Sequence, residues 1–321
     1  MSHSDDAYAA MLLTMALSPN REEYTKPLCV QEFRRFEAAV RASRFRSIGA
    51  LLDVDISGMM MYLGMNEEES YRIYTLMHRG VQLSYALDAY EAEGIDVVTQ
   101  YDEAYPGRLE SKLAESAPPF LYRCGNVGIM KQPAIAVMGI SGVKTAPEAH
   151  RCIEALVRWA VGANYAVITG GEPGISRLAA GMTDRFGGQL VELLAGGMRE
   201  RLADEIVTRM VSEGRAALLS CEHPDALFTT AHAVSRNRLL FALADAAFIF
   251  NTDGRRGDVE ALQNRMCDWI YAWEKYAGND TLIARGAVPF KELSAVDMDK
   301  MSRHWSSSRS QQLSVFDSLQ E

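Results

Sequence analysis

Positive charge is scarce in this chain of 321 residues: 33 Lys and Arg face 42 Asp and Glu, leaving a net charge of −9. That sign excludes a protein that coats nucleic acid by bulk electrostatics, while leaving room for a local basic patch. Long apolar runs are also missing. None reaches the roughly 18–20 residues of a membrane-spanning helix, so no membrane partner is expected, and the polar start Met1–Asp6 predicts no signal peptide. The five cysteines (Cys29, Cys124, Cys152, Cys221 and Cys267) are odd in number and widely spaced, with no C-x-x-C pair. This usage points to a reducing cytoplasm and away from a zinc ribbon. Cys221, His223 and His232 come near one another in sequence, but their spacing fits no standard ligand template. They read as a loop thiol with two surface histidines, and no metal is expected. No G-x-G-x-x-G opens the first α/β helix and no G-K-[ST] follows a glycine loop, which disfavours a dinucleotide cradle and a Walker-type NTPase. No cofactor is expected.

What is present is an ordinary globular composition, 48% hydrophobic and 23% charged, in a length that predicts two domains. Residues 1–127 carry net −7, residues 128–290 net −1 and residues 291–321 net −1, so the acidity lies mostly in the first third. That third reads as a helical N-terminal domain, with apolar residues at helical spacing through Tyr8–Leu17, Phe33–Val40, Ile48–Leu52 and Tyr71–Tyr90. Met59, Met60, Met61 and Met65 read as adaptable core packing. Ile95, Val97 and Val98 predict a short strand, and Pro118-Pro119 predicts an extended connector leading to Gly125-Asn126.

Residues 128–290 alternate short apolar strands with helices: Ala134–Gly139, Tyr165–Thr169, Leu190–Leu194, Ala217–Ser220 and Ala246–Phe250, with Trp269–Trp273 as a sixth. Thr145-Ala146-Pro147-Glu148 has capping-box spacing and opens a helix to about Val161. The pattern predicts an α/β fold with a doubly wound, mostly parallel Rossmann-like sheet. The polar, Ser-rich segment 291–321 reads as a flexible tail.

In such a sheet, ligands sit beyond the carboxyl ends of the strands, where glycines let the backbone approach a phosphate. Gly139, Gly170 and Gly171 fall at those ends, as do Gly174, Gly196 and Gly197. Their other reading is that they only close tight turns. Arg236-Asn237-Arg238 precedes the Ala246–Phe250 strand, and Arg255-Arg256-Gly257 follows it. Together they offer forked hydrogen bonds to phosphate. The alternative is that they tie down a helix start, with Arg236 facing outward and Arg238 inward.

At this point the residues resemble a family. Thr99, Asp102, Tyr105-Pro106 and Leu109, then Pro119-Phe120-Leu121-Tyr122 and Gly125-Asn126, look like the start of the DNA-processing protein A (DprA/Smf) family. Gly139, Thr169-Gly170, Gly174-Ile175, Arg236-Asn237-Arg238, Gly278-Asn279 and Gly286-Ala287 follow in family order, so the resemblance runs over about residues 8–290. It implies a sterile-alpha-motif-like helical domain, single-stranded DNA binding, homodimerisation and delivery of DNA to a RecA-type recombinase, with no enzymatic activity. The chain departs from the family where Gly139-Ile140-Ser141 replaces a Gly-Thr-Arg or Gly-Ser-Arg. A second departure is Thr169-Gly170-Gly171-Glu172-Pro173-Gly174-Ile175-Ser176, which lacks the usual aspartate and histidine. Lys144, Arg177, Arg255 and Arg256 are the candidates to restore the lost positive charge. With only the polar segment following Pro289, the family's winged-helix-like C-terminal domain is not expected here.

Two further signals remain. Gln312-Leu313-Ser314-Val315-Phe316 resembles the bacterial sliding-clamp-binding pentapeptide, an extended peptide with Gln312, Leu313, Val315 and Phe316 as anchors for a hydrophobic groove. The alternative is that Leu313–Phe316 packs on the body. Asp245–Ile249 followed by Gly254–Glu260 loosely resembles the LOG group, which shares the Rossmann-like body. That likeness implies a nucleotide-binding sensor, or an N-glycosidase acting on a nucleoside monophosphate, with Glu260 as the catalytic carboxylate and Arg236 or Arg238 on the phosphate. For stacking on bases, Tyr165 and Phe228 are the aromatic candidates.

Overall fold

A computed structural model describes residues 3–18, 23–140, 142, 144–252, 254, 256–301 and 303, without the side chains of 256 and 257. The first 125 residues contain α1 (Asp5–Thr14), α2 (Val30–Ala42), α3 (Ile56–Leu63), α4 (Glu67–Met77), α5 (Gly80–Ala92), β1 (Ile95–Thr99), α6 (Gly107–Leu113) and β2 (Phe120–Gly125). Then come β3 (Ala134–Gly139), α7 (Pro147–Gly162), β4 (Ala166–Thr169), α8 (Ile175–Arg185), β5 (Leu190–Leu194), α9 (Arg199–Leu202), α10 (Glu205–Ser212) and β6 (Ala216–Ser220). The chain continues with α11 (Thr230–Leu243), β7 (Ala246–Asn251), α12 (Arg256–Gln263), β8 (Trp269–Trp273), α13 (Asp280–Ala284) and β9 (Val288–Phe290).

The nine strands form a single sheet in the order β1-β2-β6-β5-β4-β3-β7-β8-β9. β1 and β2 are antiparallel, while β3 runs parallel to both β4 and β7. The central parallel strands β3, β4, β5 and β7 are buried nearly along their length, which is why unbroken apolar runs such as Ala134–Met138 mark them in the sequence. The chain winds outward from β3 to β6, then returns to β7 on the other side of β3. The switch point therefore lies between β3 and β7, where open α/β sheets place ligands.

Two compact units divide the chain. One comprises the residues up to Gly125 with Leu194–Ala203 and Leu218–His232; the other comprises Asn126–Leu193, Asp204–Ala217 and Ala233 onward. In the first, α1 is almost wholly buried, and its last carbonyls, Leu12 O and Met15 O, accept hydrogen bonds from Arg79. Arg79 also pairs with Glu23 at 2.5 Å. The same arginine marks a departure from the single helix expected over Tyr71–Tyr90: the chain breaks at His78-Arg79 into α4 and α5. Arg79 turns inward there, and Gly80 lies against the Tyr8 hydroxyl, which donates to its carbonyl at 3.2 Å. The methionine run is core only at Met59; Met60 and Met61 are exposed, because α3 packs one face and leaves the other to solvent. The two prolines at 118 and 119 do impose an extended path, yet the segment that follows is β2, paired residue for residue with β1.

In the second unit, the α7 helix starts one residue later than the expected capping box requires. Ala146 is the cap, Pro147 takes the first helical position, and no side chain caps the end. Phe248, Tyr271 and Phe290 build an aromatic core, with Phe248 and Tyr271 stacked at 4.8 Å and Phe290 edge-on to Phe248 at 5.7 Å. Val296 and Met301 are buried in that core, so the segment read as a flexible tail is packed through Met301.

Candidate functional site

The candidate site is built where β3, β4 and β7 end, all within the second unit. β3 ends at Gly139 against Asn251 of β7, whose Oδ1 accepts the Ile140 N–H at 2.7 Å. A Cβ at Gly139 would stand 2.5 Å from that oxygen and 2.6 Å from Ile175 Cδ1. Glycine here serves close packing of the strand end against α8, the tight-turn alternative rather than the phosphate one.

β4 ends at Thr169-Gly170-Gly171. The Arg236 guanidinium occupies the space beside Gly170, where a side chain would overlap its Nη1. Arg236 is 7% exposed; its Nη1 donates to Leu193 O at 2.6 Å and its Nη2 forms an ion pair with Glu172. The Ser176 hydroxyl reaches the same carboxylate at 3.5 Å. Glu172, in the loop where the chain departs from the family pattern, thus stands against Arg236 as an internal anion. Arg236 points inward and Arg238 outward, the reverse of the orientation expected if they tied down a helix start. Gly171 has a φ of +77° that glycine adopts without strain, and its carbonyl accepts from Arg177 Nε at 3.2 Å.

Asn237 and Arg238 of α11 reach carboxylates of α12. Asn237 Nδ2 donates to Asp258 Oδ1 at 3.1 Å, and the Thr252 hydroxyl donates to the other oxygen at 2.5 Å. Arg238 pairs with Glu260 at 2.6 Å, each side chain about one-third exposed (33% and 33%). The four converging guanidinium groups expected here are therefore not four free cations: Arg236 and Arg238 each hold a carboxylate. Glu260, the carboxylate of the glycosidase alternative, is the one Arg238 engages. Lys144 is exposed and has no carboxylate partner among the described residues. Arg255 and the tail residues Gln312, Leu313, Val315 and Phe316 lie outside the described residues, as does the side chain of Arg256.

Sequence reasoning missed Glu172, whose one signal is an acidic residue inside a glycine turn. It also missed the role of Asn279, whose Nδ2 bridges three backbone carbonyls: Trp273 O at 2.8 Å, Phe250 O at 3.2 Å and Ile249 O at 3.3 Å. Of the two stacking candidates, Tyr165 is buried while Phe228, in the first unit, is 53% exposed. Cys221, His223 and His232, also in the first unit, do not assemble a metal site, and no group of three or more metal-type ligands occurs among the described residues. His223 is not the surface residue expected. It is buried, its Nδ1 accepts the Asp225 N–H at 3.1 Å, and burial pulls its pKa below the ordinary histidine value. Burial pushes the Cys221 thiol well up. Among the described residues no helix is long and apolar enough to cross a membrane.

Comparison with known proteins adds to this geometry. The X-ray structure of DNA processing protein A (DprA) from Streptococcus pneumoniae is similar over 91% of this chain and 96% of that one, with a TM-score of 0.62 at 16% identity. DNA processing protein A from Helicobacter pylori, described for its single-stranded DNA binding mode, is similar over 66% of this chain and 96% of that one, with a TM-score of 0.52 at 15% identity. At such identities the likeness is one of fold. No curated protein matches the chain by sequence. Residues 96–296 match the family described as DNA recombination-mediator protein A. That match spans more than half of the 321 residues, and the chain belongs to the DNA recombination-mediator protein A family.

Proposed function

We propose that this protein acts in DNA recombination by binding single-stranded DNA without catalysing a reaction. Family membership is the single observation that carries the reading, and the single-stranded DNA binding mode described for the Helicobacter pylori relative supports it. In this reading the backbone of the strand runs along the carboxyl edge of the second unit. Lys144 and the outward-facing Arg238, whose solvent-accessible pair with Glu260 is weak enough to open for a phosphate, hold phosphates, and Arg255 and Arg256, which follow β7 in sequence, add to them. Each cation displaces condensed counterions from the strand, so affinity falls as salt rises. Asn237 positions α12 through Asp258, while Gly139 and Gly170 shape the edge by letting Asn251, Ile175 and Arg236 pack closely against the strand ends. Arg236 buttresses the wall through Glu172 rather than reaching the strand.

The same reading takes the protein as a homodimer that hands DNA to a RecA-type recombinase, with the Gln312–Phe316 segment docking on a sliding clamp. Fluorescence anisotropy of a labelled oligo-dT against a duplex of equal length, over a salt series, tests the function. Preferential, salt-sensitive binding of the single strand is expected; no binding at low salt overturns the reading.

A further inference from the structure

The first unit carries a feature that its acidic composition hides. Within a segment of net −7, three arginines fall in six residues, Arg41, Arg44 and Arg46, at and just past the end of α2. Arg41 is committed to Glu37 at 2.7 Å. Arg44 and Arg46 are exposed, and neither has a carboxylate partner among the described residues.

Two aromatic rings stand beside them. The Arg44 guanidinium lies 4.0 Å from the centroid of the Tyr62 ring and 5.5 Å from that of Phe45. Phe45 and Tyr62 meet edge to face at 5.9 Å. A guanidinium laid on a ring spends its flat face there and keeps its N–H edge outward, the geometry that grips a phosphate. Tyr62 nonetheless remains 42% exposed, and its neighbour Met61 is 72% exposed.

The segment is also held in place. The Ser43 hydroxyl donates to Val40 O at 2.7 Å and accepts the Phe45 N–H at 3.1 Å, while the Ser47 hydroxyl donates to Asp6 at 2.5 Å. The turn between these anchors takes Arg46 into the left-handed region, at a φ of +63°. Binding to a turn already fixed at both ends loses little further conformational entropy.

Free cationic edges next to one exposed ring, Tyr62, and one half-buried ring, Phe45, suit one chemistry, a flexible polyanion whose unpaired bases can stack. We propose that Arg44, Arg46, Phe45 and Tyr62 form a second grip for single-stranded nucleic acid, separate from the carboxyl edge of the sheet. Duplex DNA offers the phosphates but keeps its base faces buried, so the rings favour the single strand. This inference rests on the single-stranded DNA reading of the protein.

The test uses the full chain and labelled oligo-dT, comparing wild type with Arg44→Ala/Arg46→Ala, Tyr62→Ala and Tyr62→Phe. The three substituted positions are at the surface, and thermal melts are to check that each variant is folded. The double arginine variant is expected to make the slope of log affinity against log salt shallower by about 1.4, roughly 0.7 for each phosphate no longer neutralised. Tyr62→Ala is expected to weaken binding about tenfold, within the range for removing one stacked base, while Tyr62→Phe keeps the ring and the affinity. Wild-type binding with unchanged slope and affinity in the arginine and alanine variants overturns the second grip and leaves the carboxyl-edge reading standing. Absence of wild-type binding overturns both, and equal losses for duplex and single strand overturn the stacking role.

Discussion

Replacing Glu172 by glutamine keeps the shape of the side chain and removes its charge. The Arg236 guanidinium, 7% exposed, is then left with the Leu193 carbonyl and a neutral amide. Breaking a buried ion pair by removing one partner costs about 3–5 kcal/mol, because the remaining charge has lost both water and its counter-charge. Glu172 is 14% exposed at its side chain, and the amide oxygen still accepts one hydrogen bond, so the lower end, about 3 kcal/mol, is expected. Chemical denaturation at neutral pH reads this directly.

A second reading of the same variant asks whether Arg236, having lost its counter-charge, attracts an anion. If inorganic phosphate binds Arg236 with a dissociation constant of about 1 mM, about 10 mM phosphate stabilises the variant by roughly 1.4 kcal/mol. Wild type, whose arginine is already matched by Glu172, gains nothing there. Changing both residues to glutamine and methionine removes both charges, and that double variant is expected to recover most of the loss. A loss below about 1 kcal/mol in Glu172→Gln, with no response to phosphate, would refute the buried pair.

Two other perturbations follow from the packing of the first unit. A Cβ at Gly197 would overlap the Pro224 carbonyl and stand 2.7 Å from the Ala226 nitrogen, so Gly197→Ala is expected to lose about 1–3 kcal/mol in a denaturation titration. His223 folds neutral, since burial lowers its pKa and its Nδ1 accepts a hydrogen bond. Its contribution is complete above the unfolded histidine value of about 6.5 and is lost as pH falls through the depressed folded value. Stability measured from pH 7.5 down to 5 should therefore decline, and His223→Gln should flatten that part of the curve; parallel curves would show that His223 does not titrate with unfolding.

The sheet of the second unit was legible because parallel strands covered on both faces must be apolar at every position, as Ala134–Met138 and Ala246–Phe250 are. β2 was harder to see. Pro118-Pro119 announces an extended chain, but only a partner strand turns an extended segment into a sheet element, and β1 lies more than twenty residues back. β9 was missed because it has three residues and a central proline, which suits a short edge strand and carries almost no periodic signal.

The candidate site divides in the same way. Glycines at strand ends and Arg236-Asn237-Arg238 on a helix could be placed by position along the chain. Which arginine turns inward depends on the rotational phase of α11, and the Glu172 partner is separated from Arg236 by 64 residues. Such pairing is set by the crossing of β4, β5 and α11 in space, and no local pattern encodes it.

The location of the DNA grip is the central claim, and one measurement reaches it most directly. The salt dependence of oligo-dT binding is compared between wild type and Lys144→Ala/Arg238→Ala, both positions being accessible from solvent. If these side chains hold two phosphates, the slope of log affinity against log salt becomes shallower by about 1.4 and affinity falls at low salt. An unchanged slope and affinity would contradict a strand running along the carboxyl edge of the sheet.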